Sequence, residues 1–155
     1  MFDINNHFTY AYSAGTEADF EQALTGDAAS TNALDLKKAA INIAAGKRPI
    51  YLIVKAGNTA DFNTLTSLEI QLCTGTSIDK STGKKVIQKW RYALAGLTAG
   101  TLLVNQALPV ALYQRYLYLY FNVLGSDPSA GGIKAYLSDS PESAETDVDQ
   151  TATGS

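Results

Sequence analysis

The sequence predicts an all-β protein, an antiparallel β-sandwich or jelly roll with an N-terminal extended arm and a disordered acidic C-terminal tail. Three observations predict it. From position 67 onward, runs of strand length recur in a regular rhythm, several alternating apolar and polar residues. Glycine-rich turns separate these runs, with no helix between them. The run 115–123 is rich in β-formers and lacks Gly and Pro.

Residues 1–27 read as an arm and connecting segment. Phe2, Ile4, Phe8, Tyr10 and Tyr12 alternate in part, as in an added strand or an extended arm. Residues 16–24 fit a short helical turn, with Thr16 as N-cap and Asp19 at the third helical position. Residues 28–137 form the expected sandwich domain. It opens with small and hydroxyl-bearing residues that end on Leu34-Asp35-Leu36. Residues 37–48 are Ala-rich with Ile41 and Ile43, a helix by propensity, although Gly46 limits it and a long loop is an equal alternative. Pro49 opens the continuous apolar run 50–55, of strand length, and 57–61 is a turn-rich break.

Residues 67–74 alternate, with Leu68, Ile70 and Leu72 inward and Cys73 opposite. Residues 75–83 make a polar loop. Residues 85–93 place Val86, Gln88, Trp90 and Tyr92 on one side and Ile87, Lys89 and Arg91 on the other. A turn at 94–100 leads to a strand at 101–108, and Pro109 begins a connection. Residues 125–132 hold three glycines and Pro128, a turn before the last strand at 132–137. The count is six to eight strands. Residues 138–155 are rich in Ser, Thr, Asp, Glu and Gly; they bury too little to repay their ordering entropy and read as a mobile tail.

In the strand 115–123, Leu117, Leu119, Phe121 and Val123 share one face, and Tyr116, Tyr118 and Tyr120 share the other. One reading places these rings under a loop of a central strand. The other makes them an outer face that meets another protein. Tyr116, Tyr118 and Tyr120, with Phe2, Ile4, Phe8 and Tyr10 of the arm, are the candidate protein-interface residues.

The chain has 155 residues, enough for one self-sufficient core. Charged residues make up 17%, a low share that suits a surface partly covered by a partner. The net charge of −3 is unevenly placed. Asp139, Glu142, Glu145, Asp147 and Asp149 lie in a tail without Lys or Arg, which leaves 10 acidic against 12 basic residues in 1–137. The basic residues are scattered, so no nucleic-acid partner is expected. Cys73 is the only cysteine, so no intramolecular disulfide can form. The N-terminus lacks the basic and apolar regions of a signal peptide, and no apolar run is long enough to span a bilayer, so no membrane partner is expected.

Catalytic chemistry finds few residues to use. His7 is the only histidine, too few for a cupin-type metal site, and it reads as a surface or interface residue. Cys73 reads as a small strand residue and not a nucleophile. Glu17, Asp19 and Glu21 have polar spacing without an apolar surround that would raise a pKa. The glycines at 96–100 lack the lysine and helix of a phosphate loop. No enzyme activity, catalytic residue, metal or cofactor is expected.

Several segments occur in a telling order: Ala28-Ala29-Ser30-Thr31-Asn32-Ala33-Leu34-Asp35-Leu36, then Phe62-Asn63-Thr64-Leu65-Thr66-Ser67-Leu68-Glu69-Ile70-Gln71-Leu72. Residues 94–100 and Leu108-Pro109 follow, then Arg115-Tyr116-Leu117-Tyr118-Leu119-Tyr120-Phe121 and Gly131-Gly132-Ile133. Together they resemble the capsid cement, or decoration, proteins of tailed bacteriophages, particularly the short-tailed kind, over roughly residues 25–137. The resemblance implies a jelly-roll structural protein on the outer surface of the capsid, made in the host cytoplasm. It implies a clamp on neighbouring subunits of the major capsid protein and self-association, with a homodimer favoured and a trimer possible. The acidic tail is not part of the resemblance. The alternative is a carbohydrate- or receptor-binding β-sandwich of a phage particle, in which exposed Tyr or Trp90 would stack on sugar rings.

Overall fold

A strand whose two faces differ in polarity is stable only when a neighbour satisfies its backbone and a second layer covers its apolar face. The computed structural model, which describes residues 7–9, 21–37, 41–43, 49–57 and 62–141, meets both needs with two antiparallel sheets. In chain order the strands are β1 (Glu21–Ala23), β2 (Ala28–Ala29), β3 (Leu34–Asp35), β4 (Ile41–Ile43), β5 (Tyr51–Ala56) and β6 (Leu65–Gly75). They continue as β7 (Lys85–Ala93), β8 (Leu102–Ala107), β9 (Ala111–Tyr113), β10 (Tyr116–Gly125) and β11 (Gly132–Ser138).

One sheet has the order β1-β11-β5-β8 and the other β2-β10-β6-β7. These eight strands pair first with last, second with seventh, third with sixth and fourth with fifth: β1 with β11, β2 with β10, β5 with β8, β6 with β7. That is a long hairpin rolled up on itself, the jelly roll, built of two Greek keys. β3 continues along the edge of β10 that β2 begins, and β4 and β9 make a separate two-stranded ribbon.

The core lies between the sheets. Leu117, Leu119, Phe121 and Val123 of β10 and Leu68, Ile70 and Leu72 of β6 face Leu52 and Val54 of β5, Val104 of β8, and Ile133 and Ala135 of β11. Each Leu, Ile, Val or Phe fully buried contributes about 1.5–3 kcal/mol. Gly131 holds φ at 126°, and a Cβ there would run into the ring of Phe62, so the β10–β11 turn and the core beneath it both require glycine.

Several expectations are corrected. Among the described residues there are eleven strands, more than the six to eight counted from the sequence, because five of them are only two or three residues long. Glu21–Ala23 is strand and not a helical turn, because it pairs with β11; Thr16 and Asp19 lie outside the described residues. Ile41–Ile43 is strand and not helix, because it pairs with β9. Sheet pairing supplies more than local propensity does over so few residues. Phe8 is fully buried in the core and its backbone N–H donates to Ala135, so the body includes part of the segment expected as an arm.

On β7 the register against β6 shifts between Leu72 and Cys73. The extra residue reverses the facing of the strand before Gln88. Ile87 packs on the core, and Val86, expected beside Trp90, is exposed.

Candidate interaction surface

The tyrosine face of β10 is not open. The β6–β7 loop folds back over it, and Tyr118 is 0% exposed. The loop is built for this course. The Asp79 carboxylate accepts from the backbone N–H groups of Ser81 and Thr82 and from the Thr82 hydroxyl, which closes a tight turn. Lys80, at φ 62°, sends its ammonium across the sheet to the carbonyls of Ser30 and Thr31. Gly75 leaves room for the Tyr118 ring. Of the two readings of these rings, the structure places Tyr118 under a loop. As an expected interface residue it is corrected, because the chain itself covers it.

Tyr116 and Tyr120 flank it, half-buried. Each carries a cation: Arg115 lies 5.2 Å from the Tyr116 ring centre, and the Lys84 ammonium 3.7 Å from that of Tyr120. Arg115 also donates two hydrogen bonds to Asp35 of β3, at 2.9 and 3.0 Å. These bonds and the Lys37 N–H hold the Asp35 carboxyl well below its ordinary pKa of 3.8. Phe2, Ile4 and Tyr10 lie outside the described residues, and Phe8, in the core, offers no contact surface.

A surface that sequence reasoning did not single out lies at the end of the roll where the β6–β7 loop turns. The Leu108 N–H donates to the Ile50 carbonyl, and the chain then enters Val110 and β9. Val110 is 69% exposed and Leu112 51%, with Ile50 at 36% beside them. Tyr113, in contrast, is buried, and its hydroxyl donates to the Pro109 carbonyl at 2.7 Å, which fixes the turn. The alternation of β9 therefore points Tyr113 inward and leaves Leu112 outward. A signal was present in the pair Val110 and Leu112 beside Pro109.

Of the residues considered for catalysis, Cys73 and His7 are placed in the interior, Glu21 is half-buried on β1, and Glu17 and Asp19 lie outside the described residues. Cys73 is buried, and burial pushes its thiol up to about 11, so it is a poor nucleophile. His7, expected at the surface, is buried: it bridges to Tyr136 of β11, with the two rings tilted and 5.2 Å apart. Among the described residues no cluster of three or more His, Cys, Asp and Glu could hold a metal, and no helix is long and apolar enough to cross a membrane.

The family model Bbp16, a phage-associated name, matches residues 19–137. The match begins just before β1 and ends within β11, so it takes in all eleven strands but for the last residue of β11. The chain belongs to the Bbp16 family. No curated protein matches it. The Bbp16 match includes the loop over Tyr118 and the exposed apolar end, and it stops short of the acidic tail.

Proposed function

We propose that the chain is a structural virion protein that binds the outside of a bacteriophage head and clamps neighbouring major capsid subunits, stabilising the expanded shell. The observation that carries this reading is the apolar group Val110, Leu112 and Ile50, exposed at one end of a closed β-body, in a chain of a phage-associated family. Apolar side chains held outward on a short, paired ribbon are suited to contact and not to chemistry. Tyr116 and Tyr120 add a second contact element on the β10 face.

A head under internal DNA pressure gains stability from any ligand that binds the assembled lattice better than free subunits. A site that spans two subunits has this property, and weak contacts at several points add through multivalency. The protein then works without a cofactor, as a homodimer or higher homo-oligomer, on the outer surface of the capsid. The carbohydrate-binding alternative has less support, since Trp90 packs partly against the core with its indole N–H donated to Gln106.

Co-sedimentation with expanded heads and with purified major capsid subunits tests the proposal. Binding to heads with little binding to subunits, and head rupture at a higher temperature, is the expected result. Equal binding to both, or to neither, refutes it. Tight binding on a glycan array without affinity for heads would favour the receptor-binding alternative.

A further inference from the structure

β7 and β8 are edge strands of opposite sheets, and among the described residues neither has a strand on its outer side. Side chains join the two edges. The Tyr92 hydroxyl donates to the Leu103 carbonyl, the Trp90 indole N–H to Gln106, and Gln106 to Gln88. The backbone of β7 itself gains no such partner. Among the described residues no backbone hydrogen bond reaches its outer side. From Gln88 to Ala93, past the bulge, its pairing with β6 is regular, so every second residue aims its N–H and C=O away from β6. Such an edge is a template for one more strand.

The side chains along this edge are basic. Lys89 and Arg91 are exposed, and so are Lys85 and Lys84, whose ammonium lies on the Tyr120 ring. β7 carries no acid and β6 carries one, Glu69. Glu69 stands opposite Arg91 in register and 3.6 Å from Lys89. Two cations thus share one carboxylate, on the β6 side of both. Among the described residues no other carboxylate pairs with either.

We propose that an acidic, extended segment of a partner protein adds to β7 as a further strand over residues 88–93. Its carboxylates stand beside Lys89 and Arg91, and its apolar side chains beside Trp90 and Tyr92. Strand alternation demands this pattern. Lys89 and Arg91 point to the outer face of the sheet. Trp90 and Tyr92 point the other way, where with Leu103 they pack partly against the core. Opposite charges across a strand pair are favourable and like charges unfavourable. That rule disfavours a second copy of this chain. A two-fold axis at Gln88 sets Lys85 opposite Arg91, and one at Trp90 sets Lys89 opposite Arg91. An axis at Lys89 or at Arg91 sets that cation opposite itself. An acidic partner strand meets the same edge without this conflict. Main-chain bonds then supply affinity, and the alternate side chains supply selection.

A synthetic peptide of alternating Glu and Val, the length of β7, is the probe. Added in excess to the full chain, it should slow hydrogen exchange of outward amides in 88–93 about tenfold and leave other strands unchanged. Lys89→Gln combined with Arg91→Gln should weaken its binding about tenfold, as should about 1 M salt. Both side chains are exposed, so this variant should keep its melting temperature. Replacing the central Val residues of the peptide by Pro removes ladder donors and should abolish the protection. No protection by the Glu–Val peptide overturns the inference. Equal binding of the Pro peptide, or unchanged binding to the double variant, also overturns it, since strand pairing or charge would then be irrelevant. Edge amides already slow in the peptide-free protein at every concentration would show that the chain covers its own edge. Amides that slow as protein concentration rises would show a second copy there. Either result refutes the proposed occupant. No readout involves a capsid, so the inference and the proposed function fail or stand separately.

Discussion

The Lys80 ammonium donates to the Ser30 carbonyl at 2.7 Å, across fifty residues of sequence and the width of two strands. A second bond, to Thr31 at 2.8 Å, anchors the same group. The β6–β7 loop is thereby strapped over β10, and the tyrosine face becomes a small second core. Lys80 reaches these carbonyls at the cost of part of its hydration, which pushes its pKa down.

Lys80→Met removes both donors and keeps much of the stem. It should lower stability by about 2 kcal/mol, the range expected for hydrogen bonds to a charged group. Tyr118 should become reactive toward nitration in the folded protein. A variant as stable as the original, with Tyr118 still protected, would show that the loop stays closed without the strap.

Tyr118 and Tyr113 are both fully buried, yet their hydroxyls differ. Among the described residues the Tyr118 hydroxyl finds no hydrogen-bond partner, whereas that of Tyr113 donates to Pro109. Tyr113→Phe should therefore cost about 1 kcal/mol in denaturant unfolding, and Tyr118→Phe should cost nothing or stabilise. Tyr118→Lys should prevent folding, because it buries an unpaired charge. Equal losses for the two Phe variants would mean that a bound water partners Tyr118.

Stability should fall on both sides of neutrality. Burial pushes Tyr118 and Tyr113 from 10 up to about 12, and Cys73 from 9 up to about 11. Folding thus favours their protonated forms, and that stability is complete below pH 9 and lost as pH rises through 9 to 12. Asp35 and Asp79 behave oppositely. The Arg115 and Lys37 donors lower the first, and the Thr82 and Ser81 N–H groups lower the second. Their contribution is present above 3.8 and lost as pH falls further. Melting temperatures should form a plateau with a decline at each end; a melting temperature unchanged from pH 8 to 12 would contradict the buried placement of the three alkaline groups.

The long strands were legible because period-2 alternation is a local signal, and both faces of β6 and β10 carry it. The short strands were not. Glu21–Ala23 and Ile41–Ile43 become strands only because β11 and β9 offer partners distant in sequence. The bulge that turns Val86 outward depends on the register with β6 and leaves no mark in β7 alone. At the candidate surface, the tyrosine face was visible as a pattern, but the loop that covers Tyr118 was visible only as polar residues. What decides between exposed and covered is the Lys80 strap, a contact between residues fifty apart.

The apolar end of the roll yields the most direct test of how the protein acts. Val110 and Leu112 are largely exposed, so Val110→Lys and Leu112→Lys remove little buried area and should change stability by no more than about 0.5 kcal/mol each. If Val110 and Leu112 sit in a contact with the capsid, placing an ammonium there desolvates a charge without a partner. Head binding should then weaken about tenfold or more for each variant, the loss typical of a central contact residue. Tyr116→Lys, on the β10 face, reports separately on the second contact element. Unchanged head binding in both β9-end variants, with binding lost in Tyr116→Lys, would move the contact to the β10 face.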